Sequence, residues 1–275
     1  MTNEEKQLNG DAIVRLLTIM EKLRGENGCP WDKEQDHLTL RKYLIEECYE
    51  VIDAIDRDDD EDLKEELGDL LLQVVFHAQL GKEREVFTFN EVADGISEKM
   101  VRRHPHVFGD IHCDTSDEVL VNWAAIKDEE KKSKGKTARR LDIPATFPAL
   151  YRAQKVQKKA ADVGFDWSES DDVKAKVEEE IQEVQDAIHG SGNVKEEIGD
   201  LLFAVVNWSR FHHIDAEEAL RESTEKFRRR FYAMEDAIAE DEKDLTEMSL
   251  TEMDAYWDKI KTEESPHKEN LLRAN

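Results

Sequence analysis

The chain has few of the residues that break or cross-link a fold. Five prolines and twelve glycines in 275 residues leave few forced turns, and strand-like alternation is nearly absent. The three cysteines, Cys29, Cys48 and Cys113, are odd in number and show no Cys-x-x-Cys spacing. That excludes a disulfide framework and a cysteine zinc site, and reads as reduced thiols of a cytoplasmic protein. No segment has the apolar length of a signal peptide or a membrane span, so no membrane association is expected. Basic residues are in deficit, 39 against 65 acids, for a formal net charge of −26. Nucleic-acid polymers bind through clustered Lys and Arg, so they are not expected partners. A small anion bridged to carboxylates by a divalent metal is compatible with this charge.

What is present is helix. Hydrophobic residues make up 39% and charged residues 38%, which suits helices with one buried and one charged face. The fold class is all-α. One stretch is written twice, as Lys64-Glu-Glu-Leu-Gly-Asp-Leu-Leu-Leu-Gln-Val-Val75 and Lys195-Glu-Glu-Ile-Gly-Asp-Leu-Leu-Phe-Ala-Val-Val206. As a helix, the second copy puts Ile198, Leu201, Leu202, Val205 and Val206 on one stripe, with Glu197 and Asp200 at its margin. The first does the same with Leu67, Leu70, Leu71 and Val74, flanked by Glu66 and Asp69.

The preceding helix in each half carries its own acids. Glu46, Glu47 and Glu50 lie beside Leu44, Ile45, Cys48, Val51, Ile52 and Ile55. Glu179, Glu180 and Glu183 lie beside Val177, Ile181, Val184 and Ile188. Further matches follow. Gly28-Cys-Pro-Trp31 pairs with Gly164-Phe-Asp-Trp167, Glu98-Lys99-Met-Val-Arg-Arg103 with Glu225-Lys226-Phe-Arg-Arg-Arg230, and Trp123-x-x-x-Lys127 with Trp257-x-x-x-Lys261. The first helix of the chain is expected from about Gly10 to Arg24, and Trp31 and Trp167 read as corner packing. The expected layout is a first helical domain over 1–130, a linker over 131–148, a second helical domain over 149–264 and a frayed tail over 265–275. The basic run in the linker reads as solvated chain.

Each half thus offers Glu-x-x-Glu on one helix and Glu-x-x-Asp on the next, on faces that converge when the helices pack antiparallel. Carboxylates crowded beside an apolar seam repel one another, and a divalent cation relieves that cost. All-oxygen ligation favours Mg²⁺, with Mn²⁺ as a substitute. Lys226 and Arg230, one turn apart, would hold phosphates, and a tryptophan face suits a base or ribose. A di-iron oxidase bundle needs Glu-x-x-His on two helices. The position three after Glu47, Glu66, Glu180 and Glu197 is always another acid, which excludes that reading. The histidines, His212 and His213 included, have no motif around them and read as non-ligands.

Glu46-Glu47…Glu50…Glu66…Asp69 and Glu179-Glu180…Glu183…Glu197…Asp200 resemble the signature of the all-α nucleoside triphosphate pyrophosphohydrolases. Gly-Cys-Pro-Trp-Asp, Arg-Arg-His-Pro-His-Val-Phe and Val-Gly-Phe-Asp-Trp add the features of the tandem MazG-like branch. The resemblance implies Mg²⁺-dependent hydrolysis of nucleoside triphosphates to monophosphate and pyrophosphate, clearing unwanted nucleotides. It also implies four-helix units that pair into helical bundles in a homodimer. Carried over residue by residue, it places metal on Glu180, Glu183, Glu197 and Asp200, with a second putative metal set at Glu47, Glu50, Glu66 and Asp69. It places substrate on Lys226, Arg230, Trp257 and Lys261, which Lys176 and Lys195 join as candidates. Glu179, Glu180 and Glu183 are the catalytic candidates.

The halves differ around the shared acids. Lys176 stands one turn before Glu180, where Tyr43 stands before Glu47. The helix before Trp167 shows Gln154, Lys155, Gln157 and Lys158, against Thr18, Ile19, Glu21 and Lys22. Positive charge for phosphates favours the second half as the main catalytic site. The rival from another class is a non-catalytic dimerisation or regulatory scaffold that senses nucleotide.

Overall fold

The computed structural model describes residues 1–133 and 141–271, and the chain divides into two units, 1–136 and 137–275. Linker residues 134–140 and tail residues 272–275 lie outside the described residues. Among those described there is no strand, and no helix is long and apolar enough to cross a membrane.

The first unit opens with α1 (Asn3–Arg24). It starts seven residues before the expected Gly10, because Thr2 and Glu5 form a reciprocal capping box that satisfies the free N–H groups of the first turn. A short α2 (Pro30–Glu34) follows, with Pro30 at its first position, where the missing N–H costs no helical bond. Then come α3 (Arg41–Asp56) and α4 (Asp60–Glu83), which pack along each other. The Asp59 side chain accepts from Asp62 N–H, and three acids fill the first turn of α4, where the helix dipole favours them. The unit closes with α5 (Phe89–Arg103), α6 (Pro105–Phe108) and α7 (Ser116–Ser133). Its core is Met20, Leu40, Val75, Phe76 and Leu80, backed by Leu16, Leu17 and Leu72. Arg24 seals the edge, paired with Glu83 at 2.7 Å and lying 5.4 Å over the Phe76 ring.

The second unit has α8 (Ala149–Ala161), α9 (Ser170–Asp186), α10 (Val194–Phe211), α11 (Ala216–Glu240) and α12 (Leu250–Leu271). Gly164, at φ +84°, ends α8 in the left-handed conformation that glycine adopts without steric cost. That turn leads the chain through Phe165 and Trp167 towards α9. A wider π turn at Ala187–Ser191 closes α9, and Gly190 (φ +101°) reverses the chain at the start of Gly190-Ser-Gly-Asn193. α9 packs along α10 as α3 does along α4, and α11 rests on α8 and α12.

The expected apolar stripes are only half covered within each unit. Val177, Val184 and Val206 are buried, whereas Ile188 is 62% and Leu202 53% exposed. In the first unit Ile55 and Leu67 are likewise exposed. Two helices crossing face to face cover one side of each stripe and leave the other outward.

Candidate metal and nucleotide site

In the second unit α9 and α10 bring Glu180, Glu183 and Glu197 together, one oxygen of each lying within 4.8 Å of the others. The i,i+3 spacing places the first two one turn apart on α9, and α10 supplies the third. Glu180 is buried. Its Oε1 lies 2.7 Å from Lys176 Nζ, and its Oε2 is buried without a hydrogen-bond partner. Glu179 turns outward and takes Lys176 at 2.8 Å. Hydrogen bonds that it donates to Glu179 and then Glu180 hold the Lys176 ammonium well above the usual lysine range. Partial loss of hydration, and then the nearby Glu180, push the Glu183 carboxyl up. Asp200 lies outside this oxygen cluster, on the wall of the adjoining cavity with Glu180.

The first unit repeats the arrangement with a different membership. Glu47, Glu66 and Asp69 converge within 4.8 Å, and Glu50 stays outside the trio. Burial, then Asp69 and Glu50, raise Glu47; burial, then Glu50 and Asp62, raise Glu66. No lysine stands where Lys176 does. Gln73 reaches Glu47 at 3.4 Å instead.

Both clusters suit a hard divalent cation. Their donors are all oxygen, loss of hydration first and neighbouring acids second raise the Glu47, Glu66 and Glu183 carboxyls, and Glu180 Oε2 is buried with no hydrogen-bond partner.

The other sequence candidates lie apart from this cluster. Lys226 and Arg230 are on α11, Trp257 and Lys261 on α12, and none of the four lines the cavity beside the carboxylates. Arg230 donates to Glu264 at 2.8 Å, Trp257 packs against Phe227 with ring centres 5.1 Å apart, and Lys261 lies 2.7 Å from Asp258. Arg103 and Glu130 form the matching pair in the first unit, at 2.6 Å, each glutamate standing seven residues past its tryptophan. Lys195 opens α10 at the surface, its backbone N–H held by Asn193.

Residues without a motif complete the picture. A cavity of about 330 Å³ adjoins Glu180 and Asp200 and is lined by Phe165, Trp167, Gln157, Asn207 and Arg210. Trp167, read from the sequence as corner packing, is a wall of this cavity. The available signals were a glutamine on the inward stripe of α8 and an asparagine ending the apolar run of α10. In the first unit His37 and His77 join Nδ1 to Nδ1 at 2.8 Å, a pairing 40 residues apart that no local pattern announces.

Known proteins share both halves. The MazG nucleotide pyrophosphohydrolase domain matches twice, at residues 35–108 and 169–232. A nucleoside triphosphate pyrophosphohydrolase of Escherichia coli is 49% identical over 257 residues, 92% of this chain and 98% of the relative. The nucleoside triphosphate pyrophosphohydrolase/pyrophosphatase MazG of Thermotoga maritima is 48% identical over 252 residues, 92% of this chain and 96% of its own. An uncharacterised Bacillus subtilis protein, YabN, is 50% identical over 266 residues, 95% of this chain and 54% of its own. The chain belongs to the MazG nucleotide pyrophosphohydrolase family and carries the family's domain in two tandem copies.

Proposed function

We propose that this protein hydrolyses nucleoside triphosphates to the monophosphate and pyrophosphate with Mg²⁺, clearing unwanted nucleotides in the cytoplasm as a homodimer. The second unit is the main catalytic site in this reading. The observation that carries it is the convergence of Glu180, Glu183 and Glu197 around an unpartnered buried carboxylate oxygen, in a member of this family. A docking scaffold gains nothing from three converging carboxylates with one buried oxygen left without a hydrogen bond.

Glu180, Glu183 and Glu197, with Asp200 beside them, would hold the cation, which when bound draws charge from the α-phosphate oxygens. Mn²⁺ would substitute. A carboxylate of the Glu179–Glu180–Glu183 set takes a proton from water as that water attacks the α-phosphorus. The bond from that phosphorus to the α,β-bridging oxygen breaks, and pyrophosphate leaves with the electron pair. Lys176, one turn before Glu180 on α9, and Lys195, in the first turn of α10, would attract the phosphates. Lys226, Arg230 and Lys261 take up charge on the leaving group, and Trp257 covers the sugar. Arg230 must exchange Glu264 for phosphate to do so. The homodimer is supported by the outward halves of the α9 and α10 stripes, where Ile188 and Leu202 stand in water.

Hydrolysis in ¹⁸O-labelled water with Mg²⁺ tests the reaction itself. Label in the nucleoside monophosphate, with one pyrophosphate per turnover, is the expected result. Label in pyrophosphate, or nucleoside diphosphate and orthophosphate as products, overturns it.

A further inference from the structure

The repeat runs one step past the residues read as substrate contacts. Glu130 stands seven residues after Trp123, and Glu264 seven after Trp257. Each takes the arginine of its own copy. Arg103 Nη2 donates to Glu130 at 2.6 Å, and Arg230 Nε donates to Glu264 at 2.8 Å. In both glutamates the bond from that arginine is the largest cause of a lowered carboxyl. A pair formed by matching positions in both copies is a property of the repeat rather than an incidental surface contact.

The two grips differ. Glu130 Oε1 accepts from Arg102 Nε at 2.7 Å and from Arg103 Nε at 3.4 Å, while Oε2 takes Arg103 Nη2. The Arg103 and Glu130 side chains are 16% and 15% exposed, so this fork is closed and mostly out of water. Glu264 takes Arg230 by one hydrogen bond, through Nε, and its own side chain is 34% exposed. Arg229 lies 3.6 Å from the other oxygen. Nor does α12 depend on this bond for its place. Trp257 packs on Phe227, and the Tyr256 hydroxyl donates to Asp241 and accepts from Lys243 at 3.0 Å. Opening a pair this exposed costs little.

We propose that Glu264 is a positioning residue for the hydrolysis: its carboxylate holds Arg230 in the resting protein and yields it to the phosphates of the substrate. A carboxylate and a phosphate offer a guanidinium the same thing, a pair of anionic oxygens, so one replaces the other without new geometry. Held this way, the Arg230 side chain is ordered before substrate arrives, and less freedom is lost on binding. The displaced carboxylate keeps a cation beside it, because Arg229 is already 3.6 Å from Oε1. The exchange also lowers apparent affinity, by the fraction of time that Arg230 spends on Glu264. In the first unit two arginines close on one glutamate, so Arg103 is the harder of the two to release. The inference rests on the reading of Arg230 as a phosphate contact.

The test uses the full chain, its Glu264→Gln and Arg230→Ala variants, and the double variant. Glutamine keeps an oxygen that accepts from Nε and removes the charge that competes with phosphate. Calorimetric titration with an α,β-methylene triphosphate and Mg²⁺ should show Glu264→Gln binding about three to six times tighter than the parent. KM for nucleoside triphosphates should fall by the same factor with kcat largely kept, and inhibition by inorganic pyrophosphate should strengthen. The gain should vanish in the double variant, which is expected to bind like Arg230→Ala. A purely structural pair would instead give a lower melting temperature and no tighter binding. Unchanged or weaker binding in Glu264→Gln, or a gain that survives in the double variant, overturns the proposal. Arg230→Ala binding as tightly as the parent overturns it too, by taking Arg230 off the phosphates. The products formed in labelled water still decide the reaction on their own.

Discussion

Glu130 and Glu264 show how a side chain becomes a structural fixture. Hydrogen bonds from Arg103 and then Arg102 hold the Glu130 carboxyl down at about 2. A carboxyl depressed in the folded state stabilises above its unfolded pKa, near 4.5, and that contribution drains away as pH falls towards 2. Melting curves of the parent and Glu130→Gln should therefore differ at pH 7 and converge as pH drops through 4 towards 2. The clustered carboxyls have the opposite sign. Glu47, Glu66 and Glu183 are raised, so their ionisation costs the metal-free protein stability as pH rises. A divalent cation should remove that cost. At a hundredfold excess over Kd, Mg²⁺ is expected to stabilise by about 2.7 kcal/mol, and to do so less at pH 5, where protons compete for the same oxygens. No thermal shift with Mg²⁺ or Mn²⁺ would count against both clusters as cation sites.

Among the elements, α3 with α4 and α9 with α10 were legible because two signals coincide in them. Apolar residues recur at helical spacing, and the acids sit at a constant margin beside them. Helix starts were harder. The capping box at Thr2 extends α1 by seven residues, although the first turns bury nothing that periodicity could register. The acids of α9 were legible as a set, but which oxygens meet depends on rotamers and on the crossing of two helices. Thus Glu50 and Asp200 share the motif without joining the trios. The cavity was not legible either, because Gln157 and Asn207 interrupt apolar patterns in a way that reads as polar margin until burial is known. Within the first unit, truncating Phe76 to alanine should cost about 3–5 kcal/mol in urea unfolding, since its ring closes the packed cluster.

At the scale of the whole molecule, the tandem repeat sets one sequence pattern in two different surroundings. Both units keep three converging carboxylates, but only around the second do Lys176 and the amide-lined cavity adjoin them. The apolar residues left outward on α9 and α10 are the surface on which the proposed homodimer rests. Leu202→Glu, at a side chain the single chain leaves 53% exposed, should leave the helical signal intact and convert a dimer to a monomer in sedimentation. A dimer that survives the substitution would place the contact elsewhere. The central claim is that the cluster on α9 and α10 carries the chemistry. Its most direct test is pyrophosphate release with Mg²⁺ from the intact chain, from Glu183→Gln and from Glu66→Gln. Activity should fall on the order of 10²-fold in Glu183→Gln and persist in Glu66→Gln. The reverse pattern would move the reaction to the first unit, and full activity in both variants would contradict the account.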